Sequence, residues 1–286
     1  MGGLQVVQLA VAVDRYAEWE QEIGQWLAWL ASGAARPSTL ALRRAQLRRF
    51  ARTHRDVGPY CVGTGQVADW ISGHEWSRET IRSHRTALRS FYGWAQDSGI
   101  TPDNPARLLR KVPPAPVLPR PAPDEVIDAA IAAADDRLTL MLLLGSRQGL
   151  RRGEISRIHS RDVTPDLIGW SLRVHGKGGK ERDVPLSERV AAMLRALPAG
   201  YAFPSPRGGH LTEAHVGKIM RRALSAAAGA RVTAHQLRHR YATTVYRSTG
   251  DLVATQRLLG HASPATTIRY VDTDSARLRA VNAAAA

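Results

Sequence analysis

Cysteine is almost missing from this chain. Cys61 is the only one in 286 residues, which excludes an internal disulfide and any metal site built on paired cysteines. As a lone small hydrophobe beside Val62 it is expected to be buried. Lysine is nearly as scarce: of the 40 Lys and Arg residues only Lys111, Lys177, Lys180 and Lys218 are lysine, and the other 36 are arginine. Long apolar runs are missing too, so no segment is expected to span a bilayer. The opening Met-Gly-Gly-Leu-Gln lacks the basic and apolar regions of a signal peptide. Together these absences predict a soluble protein that stays in the cytoplasm and has no membrane partner. Acidic residues number only 25, leaving a formal net charge of +15. Such a surface attracts polyanions, nucleic acid foremost.

What is present suffices for two domains with real cores: the length allows it and 44% of the residues are apolar. In residues 14–32, Trp19, Ile23, Trp26, Leu27 and Leu30 recur at helical spacing, and Gly33 supplies a stop. A second helix is expected from Pro37-Ser38 to about His54, a short one around Gln66–Ile71, and a longer one from Ser77 to about Asp97. Residues 36–55 hold seven arginines and no acid. Arg44, Arg48, Arg52 and Arg55 share one face there, as Arg78, Arg82, Arg85 and Arg89 do on the later helix. Two such stripes suit a surface that tracks phosphates, while a solvated helix face is the plainer alternative. Residues 1–100 are therefore expected to form a four-helix DNA-binding domain. Eight prolines crowd residues 101–123 and make that stretch a semi-extended linker.

From Asp124 to the end, Ala/Leu-rich helices are expected, interrupted by one β signal. The run Leu138–Leu144 is apolar on every side and predicts a buried helix. It is followed by Gly149-Leu150-Arg151-Arg152-Gly153-Glu154, where Arg151 has a carboxylate three residues on. That pair is read equally well as a structural ion pair or as part of a site. Ile168, Trp170, Leu172 and Val174 alternate, Gly176–Lys180 turns, and Val184-Pro185-Leu186 returns, which makes a hairpin with a basic tip. The glycines of that turn do not form a P-loop, since Lys180 is followed by Glu181. Further helices are expected near 187–197, 212–227, 234–248, 251–259, 264–271 and 275–284. Thr212, Thr233 and Ser263 are candidate caps, with Gly229, Gly250 and Gly260 as stops.

The last third holds a distinctive set of polar groups. His235 and Arg238 are three apart and share a helix face, His261 follows Gly260, and Tyr270 lies nine residues further on. Cations that hold a phosphate beside a phenol that could attack it make chemical sense. His235 and His239 are spaced like a zinc pair, but the glutamate of His-Glu-x-x-His is missing and Arg238 would repel a metal. No metal and no cofactor are expected.

Five segments now support a resemblance. Gly149–Glu154, Gly176–Arg182, His235–His239, Leu259–His261 and Thr266–Tyr270 resemble, in order and spacing, the motifs of the tyrosine recombinase (phage integrase) family. The resemblance covers most of the chain, by motif in the second half and by architecture in the first. It implies a mainly α fold: a SAM-like four-helix core-binding domain, and from residue 124 to 286 a mixed α+β catalytic domain with a small antiparallel sheet. It implies a site-specific DNA recombinase that works without metal or nucleotide and makes a 3′-phosphotyrosine. Tyr270 would be the nucleophile, Arg151 and Arg238 the clamp on the phosphate, and Lys177 the acid for the leaving 5′-oxygen. His235 would be an acid or base and His261 a phosphate ligand.

The partner implied is double-stranded DNA at short core sites, bound by a synaptic tetramer near the bacterial nucleoid. About thirteen residues precede the first helix, too few for an arm-site-reading domain. Integration of a phage or mobile element is the leading expectation. Xer-type resolution of chromosome dimers, type IB topoisomerase-like relaxation and a non-catalytic DNA-binding role are the alternatives.

Overall fold

The computed structural model describes residues 14–114, 120–176, 179–260 and 283. The chain divides into two compact units, Met1–Pro116 and Val117–Ala286. In the first, four helices follow one another: α1 (Tyr16–Ser32), α2 (Pro37–Thr53), α3 (Thr64–Ser72) and α4 (Arg78–Asp97). Local chemistry sets their starts. Pro37 occupies the first turn of α2, where its missing N–H would be unpaired anyway. At the head of α4 the Ser77 hydroxyl accepts the Thr80 N–H at 3.2 Å.

Helical periodicity then brings Trp19, Ile23 and Trp26 together with Leu47, Phe50, Leu88, Phe91 and Tyr92 in one core. Phe91 stacks on Trp19 at 6.1 Å and meets Trp26 edge-on at 5.7 Å, arrangements that add to simple burial. Cys61 departs from expectation, because it is exposed. It lies in the loop before α3, where neighbouring side chains diverge, and Val62 takes the inward place at 4% exposure.

The two arginine stripes are less bare than the sequence suggests. Arg48 forms a two-pronged bond to Glu20, with nitrogen to oxygen distances down to 2.5 Å, Arg55 pairs with Asp14, and Arg82 with Glu79. Arg85 donates through two nitrogens to the Leu109 carbonyl at 2.9 and 3.1 Å, and Arg89 donates to the Arg107 carbonyl. Carbonyls in an irregular segment need donors from somewhere, and these arginines supply them. The start of the proline-rich stretch is thereby held on α4, with Ala106 fully buried.

The second unit is built around α6 (Asp136–Ser146), whose residues Thr139 to Ser146 are all buried. Among the described residues the other helices are α5 (Asp124–Ala132), α7 (Arg152–Ile155), α8 (Glu188–Arg195), α9 (Glu213–Ala228), α10 (Ala234–Thr249) and α11 (Leu252–Leu259). Helices α5, α7, α8, α9 and α10 all contact α6. Gly229, Gly250 and Gly260 end α9, α10 and α11 in the left-handed conformation that favours glycine. Ser263 and the helices expected at 264–271 and 275–284 lie outside the described residues.

Among the described residues the unit also holds one antiparallel sheet, in order β1 (Val163–Pro165), β2 (Trp170–His175) and β3 (Glu181–Pro185). The chain is therefore mainly α with a small antiparallel sheet. The hairpin expected from the alternation is present, but β1 was not anticipated, since three residues carry too short a pattern. Leu172, Val174 and Val184 face the core. Ile168 does not: it is exposed in the β1–β2 turn because β2 begins only at Trp170. Among the described residues no helix is long and apolar enough to cross a membrane.

On the outer face of the hairpin, His175 and Glu181 are the last paired residues before the turn. His175 Nδ1 meets the Glu181 carboxylate at 2.8 Å, and Nε2 meets Asp162 at 3.0 Å. Asp162 raises the histidine above its ordinary value, burial opposes this, and Glu181 adds to the rise. A group raised on folding stabilises most below its unfolded value and loses that contribution as pH rises through its folded one. The gap in melting temperature between the wild type and His175→Gln should therefore be wider below pH 6.5 than at about pH 8.5. Thermal melts across that range check it, and a gap that widens toward alkaline pH would refute a charged His175.

Candidate active site

The site begins where α6 ends. Gly149 has φ +65°, and a Cβ there would fall 2.3 Å from Cδ1 of Tyr241, so the turn accepts no larger residue without moving that ring. This turn delivers Arg151 to the head of α7. There Glu154, one turn on, accepts the Arg151 backbone N–H at 2.8 Å with one oxygen and Nη1 at 2.7 Å with the other. Glu154 thus caps the helix start and holds the side chain of the residue that begins it.

Two further arginines reach the same carboxylate. Arg182, on β3, donates Nη1 and Nη2 to its two oxygens, both at 3.0 Å. Arg238, on α10, approaches to 3.8 Å. The Glu154 side chain is 2% exposed. Burial alone would push its carboxyl up, but Arg182, the Arg151 N–H and Arg238 together bring it down to about 2. It stays ionised among three cations.

The arginines also converge on the end of α11. Arg182 Nε donates to the Leu258 carbonyl at 2.8 Å and Arg238 Nη2 to the Leu259 carbonyl at 2.5 Å. Arg151 reaches the Leu259 carbonyl with Nη1 at 3.4 Å and the Gly260 carbonyl with Nη2 at 3.3 Å. Carbonyls in the last turn of a helix lack intrahelical partners and carry the negative end of its dipole. Arg238 also donates to the Gly149 carbonyl at 2.6 Å and is 2% exposed. Arg151, by contrast, keeps 39% of its side chain open.

His235 sits one turn before Arg238, in the first turn of α10. That helix starts where Gln236 Oε1 accepts the Thr233 N–H at 2.8 Å. The His235 ring keeps an exposed edge. Crowding first, then the charges of Arg238, Arg151 and Arg152, hold it below the usual imidazole value. It is therefore neutral at pH 7. Its ring meets His239 edge-on at 4.4 Å. Tyr241 is buried against Gly149, and burial raises its phenol, which fits a packing role.

Of the six residues singled out in the sequence, the structure brings Arg151, His235 and Arg238 together. Lys177, His261 and Tyr270 lie outside the described residues. Arg182 is the member of the cluster that the sequence did not mark as a site residue. Its signal was present, since alternation from buried Val184 puts it on the inner face of β3, where an arginine needs a partner.

Removing the carboxylate should expose its importance. Glu154→Gln is expected to destabilise the second unit by about 3–5 kcal/mol, because breaking a buried pair strands the opposite charges. A carboxyl depressed on folding stabilises above its unfolded value of 4.5 and loses this as pH falls toward about 2. Denaturant titrations should accordingly show the deficit of the variant shrinking through that acid range. A deficit independent of pH there would contradict the charge assignment.

Comparison with known proteins identifies the family. Residues 123–277 match the model of the phage integrase family. A tyrosine recombinase XerC of Rhodospirillum centenum is 34% identical, covering 95% of this chain and 85% of its own. A tyrosine recombinase XerD of Ralstonia nicotianae is 32% identical over 89% and 90%. Among solved structures, a lambda integrase dimer bound to a COC′ core site has the same fold. Its TM-score is 0.71 at 20% identity, over 88% of this chain and 76% of that one. With three arginines drawn around one helix end, and with a match over more than half its length, the chain belongs to the phage integrase family and is a tyrosine site-specific recombinase.

Proposed function

We propose that this recombinase breaks and rejoins duplex DNA at short core sites through a 3′-phosphotyrosine on Tyr270. The observation that carries the reading is the meeting of Arg151 and Arg238 on the one Leu259 carbonyl. Two planar forks held that close suit a phosphorane, whose nonbridging oxygens carry extra charge in the transition state. His235, neutral and partly exposed, can take the proton of the phenol. A phenol of pKa about 10 is mostly protonated at pH 7 and needs such a base.

As the Tyr270 oxygen bonds to phosphorus, the bond to the 5′-oxygen breaks. The Lys177 ammonium supplies the proton that oxygen takes up, which a guanidinium is too weak an acid to do. His261 adds a hydrogen bond to the phosphate. Attack by a 5′-hydroxyl from a second duplex reverses the steps and frees the tyrosine. Exchanging both strands of two duplexes uses four nucleophiles, hence four copies of the chain. Between the two settings considered, the Xer-type one is favoured over mobile-element integration, because the relatives named XerC and XerD match along nearly their whole length.

The test starts from a random pool of nicked suicide duplexes, from which wild-type protein captures its site covalently. The expected result is an adduct with wild type and none with Tyr270→Phe. An adduct that persists in that variant would overturn the nucleophile. Relaxation of plasmids lacking the captured site would point to a topoisomerase, and tight binding with no adduct to a non-catalytic protein. Raising the pH from about 6 to about 8 should not slow cleavage through His235, since an imidazole held below its usual value only becomes more fully neutral over that range.

A further inference from the structure

Arg182 belongs to none of the roles assigned above, yet it is anchored at both Glu154 and the end of α11. It pairs across the ladder with Val174, and both side chains point to the inner face of the sheet, leaving 12% of the arginine side chain exposed. Each of its three guanidinium nitrogens has a protein acceptor: the two Glu154 oxygens at 3.0 Å and the Leu258 carbonyl at 2.8 Å. Arg151, by contrast, leaves 39% of its side chain exposed.

The end of α11 is shaped around this arginine as well. A Cβ on Gly260, whose φ is +62°, would fall 2.9 Å from Nη1 and 3.1 Å from Cδ of Arg182. Glycine suits both the left-handed turn and the close approach of the guanidinium, which any larger residue would displace. Arg182 therefore ties strand β3 to the carboxylate that holds Arg151 and to the helix end that leads into His261.

We propose that Arg182 is a positioning residue for strand cleavage, acting through Glu154 on Arg151 and through the Leu258 carbonyl on the end of α11. This rests on the function proposed above. Arg182 orients the carboxylate with a parallel fork, which leaves each oxygen able to receive Arg151 as well. A lysine offers a single point charge and cannot span a carboxylate and a carbonyl together. Misplacement of a reacting group by about 1 Å can cost on the order of 100-fold in rate.

Full-length wild type, Arg182→Lys and Arg182→Met are to be compared on the captured duplex under single turnover with enzyme in excess. The expected result is unchanged binding, cleavage about 10- to 100-fold slower in Arg182→Lys, and slower again in Arg182→Met. In an Arg151→Ala background the Arg182→Lys effect should largely vanish, because the two act in one chain of contacts. Cleavage as fast as wild type in both variants would overturn the proposal. Binding weakened in step with rate would make Arg182 a phosphate ligand instead. Recovery on a duplex with sulfur in place of the bridging 5′-oxygen, a leaving group that needs no acid, would place its effect on the proton donor and not on Arg151.

Failure of wild type itself to form an adduct would count against the proposed function, not against the contacts. Amide hydrogen exchange then decides separately. Faster exchange at Leu258–Gly260 in Arg182→Lys than in wild type supports the coupling of β3 to α11, and equal exchange overturns it.

Discussion

The second unit depends on one buried carboxylate. Glu154 receives Arg151 and Arg182 directly and lies 3.8 Å from Arg238, so a single negative charge offsets three positive ones from three separate elements. Without it, those guanidiniums would repel one another, and water would screen the buried Arg182 and Arg238 little. With it, β3, the head of α7 and α10 are fixed relative to each other. A cluster assembled for phosphate chemistry must be stable before the phosphate arrives, and Glu154 provides that stability.

The end of α11 provides the second half of the balance. One carboxylate cannot satisfy three forks, and the carbonyls of Leu258, Leu259 and Gly260 take up donors that remain. These oxygens carry partial negative charge only, so they hold the arginines in place while leaving Arg151 partly open. Donors fixed before reaction need little reorganisation when charge develops, which is the main way such a site lowers a barrier. The same contacts join the clamp to the end of α11, so the arginines and that helix end are placed by one network.

The first unit uses arginine differently. Its stripes are regular along α2 and α4, but regular spacing does not say whether a side chain meets water, phosphate or its own backbone. Arg48 meets an acid, and Arg85 and Arg89 meet carbonyls of the proline-rich stretch. A helix face of arginines is thus partly scaffold, and the net charge alone overstates how many are available to a polyanion.

Much of this was readable in advance. Periodicity located α1, α2 and α4, the Leu-rich run located α6, and the glycine stops after α9, α10 and α11 hold because no other residue takes a left-handed turn so cheaply. Motif spacing singled out Arg151, His235 and Arg238 as well. Cys61 and Ile168 were misjudged because both lie in turns, where the direction of a side chain follows from packing and not from period. Strand β1 was missed because its three residues are positioned by pairing with β2 and carry no pattern of their own.

The sequence by itself determined the residue types, the helix stops and the order of the chemical groups, since these depend on neighbours only a few positions away. Tertiary structure alone decided that Arg182 joins the cluster and that Arg85 and Arg89 do not face outward freely. It also decided that α11 ends on three guanidiniums. Those facts depend on where distant backbone carbonyls and one carboxylate come to rest. A charged side chain takes its role from the acceptor it finds, and that acceptor is far away in the sequence.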